Sequence, residues 1–412
     1  MSIARSARLK AGATKVRRFR VVVRDLRLDD ERKIIFVGFS DFLGNERVVA
    51  ALRGMLASER VPHAMLFSGP RGIGKFTLAR MFAQAANCEQ LRDDFCGECE
   101  PCRKIGQLAD LRPLIEQGLA QRGERPDTAT VDRVPLLLET HPDVWAIVPD
   151  PVRLKEPVAR PMLHLGQLRA VQRAAYFKPQ GRRRVFLIDG AETMRWDLAS
   201  IFLKILEEPP ESATLVLLAP NPFQLLGTIR SRCLQFSFTP LETAEVEEIL
   251  KARTGMKAEE RKLAAQYAEG CPGAAIGLDL EAVAKLHRDA LTILDRSVEL
   301  RGVSDLFAAT SALAKSQEIA FENVLEVFYS LLTDLLDLSS SSTMKMLRNP
   351  ALHRELEALS KRVDVGWITK AVHGFDVLHS RTRRNINRSL GLDVVAISLA
   401  RPSPGIKKSI SR

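Results

Sequence analysis

Gly69-Pro70-Arg71-Gly72-Ile73-Gly74-Lys75-Phe76-Thr77 has the spacing of a phosphate-binding loop. In such a loop the glycines let backbone N–H groups curl around phosphates. The following helix presents its positive end, and a lysine reaches the outer phosphates. Gly69, Gly72, Gly74 and Lys75 supply those parts. The position after the lysine normally offers a Ser or Thr hydroxyl to Mg²⁺, and here it is Phe76. Thr77 is the next hydroxyl, but one helical residue turns its side chain by ~100°. The loop can hold a nucleotide at a degenerate magnesium site, or it is a Gly-rich turn with no ligand. The residues leave that choice open.

A second segment, Val185-Phe186-Leu187-Ile188-Asp189-Gly190-Ala191-Glu192, reads as a buried strand ending in an acid. Asp189 is placed to orient a magnesium ion through water. ATPases of this kind often carry a second acid next in line, which activates the attacking water. Here that residue is Gly190, and Glu192 is expected to cap or pack the following helix. Two separate gaps, at Phe76 and Gly190, point to a site that hydrolyses ATP poorly or not at all.

Thr228-Ile229-Arg230-Ser231-Arg232-Cys233 follows the last apolar strand. Two arginines around a serine are commonly a solvated turn. At the edge of a subunit, such an arginine can instead reach a neighbour's nucleotide and stabilise transition-state charge, an effect of ~10³–10⁵ in rate in GTPases.

Cys88, Cys96, Cys99 and Cys102 cluster within one short segment, with Gly97 and Pro101 giving tight turns between them. Four thiolates at this spacing suit a tetrahedral Zn²⁺. No histidine or carboxylate offers an open catalytic position, so the expected role is a structural clip. Cys233 and Cys271 read as ordinary buried cysteines.

Helices and strands must position these groups. The chain has 412 residues, 46% hydrophobic and 27% charged, which suits a soluble protein of two or three domains. No apolar run is long enough to suggest a membrane span. The net charge of +11 fits work near nucleic acid, although much of it sits in the acid-free stretch Arg5–Arg24. Residues 1–35 are expected to be a disordered basic extension or the product of an early start, rather than a transit peptide.

From 36 to 239 helical patterns alternate with short apolar strands, as in an α/β domain with a parallel sheet and flanking helices. The zinc module occupies 88–102, and 110–139 reads as a partly helical surface insertion of unknown use. Arg182-Arg183-Arg184 reads as a solvated turn. After Pro240 the composition becomes helical: a small helical domain at 240–280, a longer one at 281–400 and a basic tail at 401–412.

Together these residues resemble the bacterial clamp-loader subunits of the AAA+ class. The resemblance rests on the Ser231-Arg232-Cys233 motif, the four-cysteine insertion after the P-loop helix, and Leu206-Glu207-Glu208-Pro209-Pro210. His141-Pro142-Asp143 and Arg384-Asn385-Ile386-Asn387-Arg388-Ser389-Leu390 are further features, of the delta-prime type.

The resemblance implies an AAA+ P-loop domain, a helical lid and a C-terminal helical collar. It implies a delta-prime-like stator in a hetero-pentamer with tau/gamma and delta subunits. Such a ring loads the beta sliding clamp onto primed DNA within the cytoplasmic DNA polymerase III holoenzyme. Arg232, with Ser231 beside it, would act in trans on a neighbour's ATP. The alternative is a catalytically active tau/gamma-like ATPase, which calls for a hydroxyl at Phe76 and an acid at Gly190. A P-loop small-molecule kinase leaves the zinc module and helical tail without a role. A zinc DNA-binding module would need its cysteines beside a recognition helix.

Overall fold

The computed structural model describes residues 38–123, 126–153, 158, 161–194, 196–299, 303–315, 321–339, 347–382 and 387–400. The basic stretch 1–35, the tail 401–412 and Arg384-Asn385-Ile386 lie outside the described residues. The chain divides into two compact units, Met1–Thr239 and Pro240–Arg412.

In unit 1, helix α1 (Glu46–Ala57) and strand β1 (Ala64–Ser68) are followed by α2 (Lys75–Asn87), α3 (Glu100–Gly106), α4 (Arg112–Ala120) and α5 (Thr128–Arg133). Strands β2 (Leu138–His141) and β3 (Val144–Ile147) come next. Helix α6 (Leu165–Ala175), β4 (Arg184–Ile188), α7 (Trp196–Glu207), β5 (Ala213–Ala219), α8 (Gly227–Arg230) and β6 (Leu234–Ser237) complete the unit.

The six strands form one sheet in the order β2-β3-β4-β5-β1-β6, parallel except for the antiparallel β2–β3 pair. Strands β1, β4 and β5 are buried along their whole length, so they read in sequence as unbroken apolar runs. The α/β fold with flanking helices is the one expected. Edge strands β2 and β6 were not expected; each has four residues mixing polar with apolar side chains, and only their pairing makes them strands.

Two expectations need correction. The stretch 110–139 is not a surface insertion: Leu111, Ile115, Leu119, Val131 and Leu136 are buried, and its end forms β2. Gln167 on α6 donates to the carbonyls of Leu136 and Val148, lacing it to the sheet. A Cβ on Gly166 would lie 2.2 Å from the Asp132 carbonyl, so α5 and α6 are in direct contact. Arg122 forms a bidentate, fully buried ion pair with Asp150. In this segment the apolar residues are spaced over short helices, and that patterning hides how deeply they are buried.

Nor is Arg182-Arg183-Arg184 a solvated turn. Arg184 is buried against Asp143 at 2.9 Å, Arg183 donates to Thr214 Oγ1, and Arg182 donates to the carbonyl of Cys88. Asp143 also accepts from the amides of Gln180 and Gly181. The His141-Pro142-Asp143 motif thereby anchors the turn that launches β4.

Unit 2 is helical throughout its described residues: α9 (Thr243–Arg253), α10 (Ala258–Tyr267), α11 (Pro272–Ile276), α12 (Leu280–Glu299), α13 (Val303–Lys315), α14 (Phe321–Ser339), α15 (His353–Ser360), α16 (Val365–Thr382) and α17 (Arg388–Ser398). Pro272 opens α11 at the first helical position, where its missing N–H costs nothing. A small cluster around Val246, Leu250 and Ala264 packs the first helices. A larger one around Phe321, Phe328, Trp367 and Phe375 packs the rest, with Phe328 and Phe375 stacked at 4.5 Å. Asn387 caps α17 by accepting from the Leu390 amide.

Candidate nucleotide, metal and arginine sites

The phosphate loop leaves the C-terminal end of β1, where open α/β sheets place their ligands. Gly69 is the tightest point: a Cβ there would stand 2.6 Å from the Phe238 carbonyl, so only glycine passes beneath the end of β6. Lys75 opens α2, is buried, and donates to the carbonyls of Gly69 and Pro70 at 2.7 Å each. Gly72 and Gly74 hold the positive φ values the curl requires, 78° and 101°. Phe76 and Thr77 follow on α2, both half-buried. Asp189 directly follows β4 and accepts from the Gly190 amide at 2.9 Å. Gly190 has φ 60°, and a Cβ would meet Pro149 at 2.5 Å, so this backbone has no room for the acid found elsewhere.

Glu192 has a further contact beyond the capping or packing expected of it. It lies in a short 3-10 turn, with its carboxylate 3.4 Å from Arg71 of the phosphate loop and its side chain only 12% exposed. Burial raises its pKa, opposed by Arg71 and Lys75, and Oε2 has no hydrogen-bond partner. Sequence spacing could not show this, because the 3-10 turn redirects the side chain.

The Thr228–Cys233 segment is pinned from below and open above. Ile229 and Cys233 sink into the sheet-side core, and burial pushes the Cys233 thiol up to about 12, as expected of a core cysteine. Arg230 lies over the Phe223 ring at 4.7 Å. Ser231 is exposed and donates back to the Thr228 carbonyl. Arg232 is exposed too, donating to the Thr228 carbonyl at 3.0 Å and pairing with Glu207 at 2.9 Å. Glu207 is the last residue of α7, so the two motifs quoted separately in the sequence meet here.

The four cysteines converge. Cys88 follows α2, Cys99 precedes α3, Cys102 lies on α3, and their Sγ atoms with that of Cys96 all lie within 4.8 Å of one another. Bonds of ~2.3 Å to a tetrahedral Zn²⁺ imply S–S edges of about 3.8 Å. Cys96 and Cys102 are already at 4.0 Å, so this donor set fits a zinc ion. Burial works against ionising Cys96, yet the amides of Cys99 and Glu98 bring its thiol to about 7; burial pushes Cys99 and Cys102 up. The module is tied to its surroundings by Gln84 Nε2 donating to the Cys102 carbonyl, by Arg53–Asp93, and by Phe39 against Phe95.

Among the described residues no helix is long and apolar enough to cross a membrane. Residues 44–242 match the family described as DNA polymerase III, delta subunit. The chain is 28% identical over 350 residues to DNA polymerase III subunit tau of Escherichia coli (strain K12), covering 79% of this chain and 46% of that protein. It is 30% identical over 313 residues to subunit gamma/tau of Mycobacterium bovis, covering 72% and 46%. The chain thus spans less than half the length of these curated relatives. A gamma subunit-related protein from Thermotoga maritima aligns over 85% of this chain and 98% of its own, at 17% identity and a TM-score of 0.37. The chain is thus similar in sequence to DNA polymerase III subunits, and these likenesses do not separate the delta description from tau and gamma/tau.

Proposed function

We propose that this chain is a stator subunit of a DNA polymerase III clamp loader, of delta-prime type. It helps place a sliding clamp on primed DNA and lends Arg232 to the nucleotide site of a neighbouring motor subunit. One observation carries the reading. The chain's own phosphate loop lacks the magnesium hydroxyl at Phe76 and the acid at Gly190, while its arginine motif stays exposed at the surface of unit 1. A phosphate loop with Gly69, Gly72, Gly74 and Lys75 can still cradle phosphates, with Thr77 two residues after the lysine and Asp189 just past β4 as further candidate contacts. Without a hydroxyl ligand and a general base, nucleotide would be held rather than turned over.

In this reading residues 240–280 serve as the lid and 281–400 as the collar that joins a hetero-oligomer of tau/gamma and delta subunits. Cys88, Cys96, Cys99 and Cys102 hold a structural Zn²⁺, which supplies rigidity and no chemistry. A second reading, an active tau/gamma-like ATPase, is favoured by the names of the relatives.

The test is ATP hydrolysis by the isolated chain, beside a loader reconstituted with clamp and primed DNA that carries either wild type or Arg232→Ala. The stator reading expects an inert isolated chain and a slower loader with Arg232→Ala. A finger is worth ~10³–10⁵ at the site it serves. Brisk hydrolysis by the isolated chain, with Arg232→Ala harmless in the loader, would establish the motor reading instead.

A further inference from the structure

We infer that Glu207 is a positioning residue for Arg232, resting on the reading of Arg232 as a finger. An acid is out of place at the end of α7, because the C-terminal end of a helix carries partial negative charge. Glu208 follows it directly, which adds a like charge. Arg232 supplies the compensation: its Nη2 meets Glu207 Oε1 at 2.9 Å while its Nη1 donates to the Thr228 carbonyl at 3.0 Å. The two contacts fix the guanidinium from two sides, one on α7 and one on α8, just before the arginine itself.

Two of its five N–H donors are engaged in these contacts, so others remain for an anionic oxygen. Both side chains are partly exposed, 37% for Arg232 and 51% for Glu207, so the pair is weak enough to adjust as a phosphate arrives. Its value lies in ordering: an arginine already held in one rotamer loses less freedom when it engages a ligand. Glu207 therefore acts on turnover at the neighbour's site through Arg232 and touches no nucleotide itself.

The experiment uses the full chain in a reconstituted loader with clamp and primed DNA. It compares wild type, Glu207→Ala, Glu207→Gln, Arg232→Ala and the Glu207→Ala/Arg232→Ala pair. The expected result is a roughly 2- to 10-fold lower kcat for Glu207→Ala, from ordering energies of that order, with KM for ATP unchanged. Glu207→Gln keeps an acceptor for Nη2 and should recover most of the loss. In the Arg232→Ala background the Glu207→Ala change should have no further effect.

If Arg232→Ala slows the loader but Glu207→Ala does not, the finger stands and the positioning role is overturned. A faster loader with Glu207→Ala would make Glu207 a restraint, which also overturns it. An equal loss in the Arg232→Ala background would mean Glu207 acts by another route. If Arg232→Ala itself is silent, the finger reading fails first. Removing an acid from a helix C-terminus favours the helix, so folding is not at risk.

Discussion

At the scale of single residues, the phosphate loop owes its character to what surrounds it as much as to what composes it. Glu192 shows this most directly. Burial raises its pKa and leaves Oε2 unpartnered, while Arg71 and Lys75 pull the other way. A carboxyl group whose folded pKa lies above the unfolded value of ~4.3 contributes its full stability below that value. The contribution is lost as pH rises through the folded pKa. Glu192→Gln is neutral at every pH, so its stability relative to wild type should grow as pH is raised from about 4 to 7. Denaturant melts of both proteins across that range test the point; a difference that shrinks with pH would show that the Arg71 contact outweighs burial.

At the scale of elements, short segments are held by buried polar ties. Arg122 and Asp150 join the segment after α4 to the segment after β3 with both side chains fully buried. Asp150→Ala should cost about 3–5 kcal/mol, because it strands the guanidinium in the core. Replacing both by apolar residues of similar volume should cost much less. Urea unfolding of the three variants separates the outcomes, and a small loss for Asp150→Ala would show that water reaches Arg122. The cysteine module links α2 to α3 in a different way, through its thiols. One zinc per chain is expected by elemental analysis, falling in Cys96→Ser. Chelation should make the segment from Cys88 to Cys102 newly sensitive to protease. Stoichiometric zinc unaffected by Cys96→Ser would place the ion elsewhere.

At the scale of the whole molecule, the chain comprises two compact units with separate hydrophobic clusters. The phosphate loop, the cysteines, Asp189 and Arg232 all lie in unit 1. A fragment of residues 38–239 should therefore fold with a cooperative thermal transition and keep its zinc. A fragment that melts without cooperativity would show that unit 1 depends on the helical unit.

Much of this was legible in the residues alone, for definable reasons. The phosphate loop, the strand before Asp189 and the cysteine spacing are local patterns whose chemistry depends on near neighbours in the chain. Continuous apolar runs marked β1, β4 and β5, because strands buried on both faces cannot alternate. Edge strands β2 and β6, four residues each with polar side chains mixed in, carry no such signal. Nor did the stretch 110–139, whose buried residues Leu111, Ile115, Leu119, Val131 and Leu136 are spread over several short elements.

The amino-acid sequence by itself determined the α/β class, the gaps at Phe76 and Gly190, and four thiols spaced for one ion, since each follows from residue type and short-range spacing. Only the tertiary structure decided that Glu192 faces the phosphate loop, that Arg184 is buried on Asp143, and that Glu207 grips Arg232. Those contacts join residues between 25 and 121 positions apart. Side-chain direction and loop path fix such contacts, and no local periodicity records either.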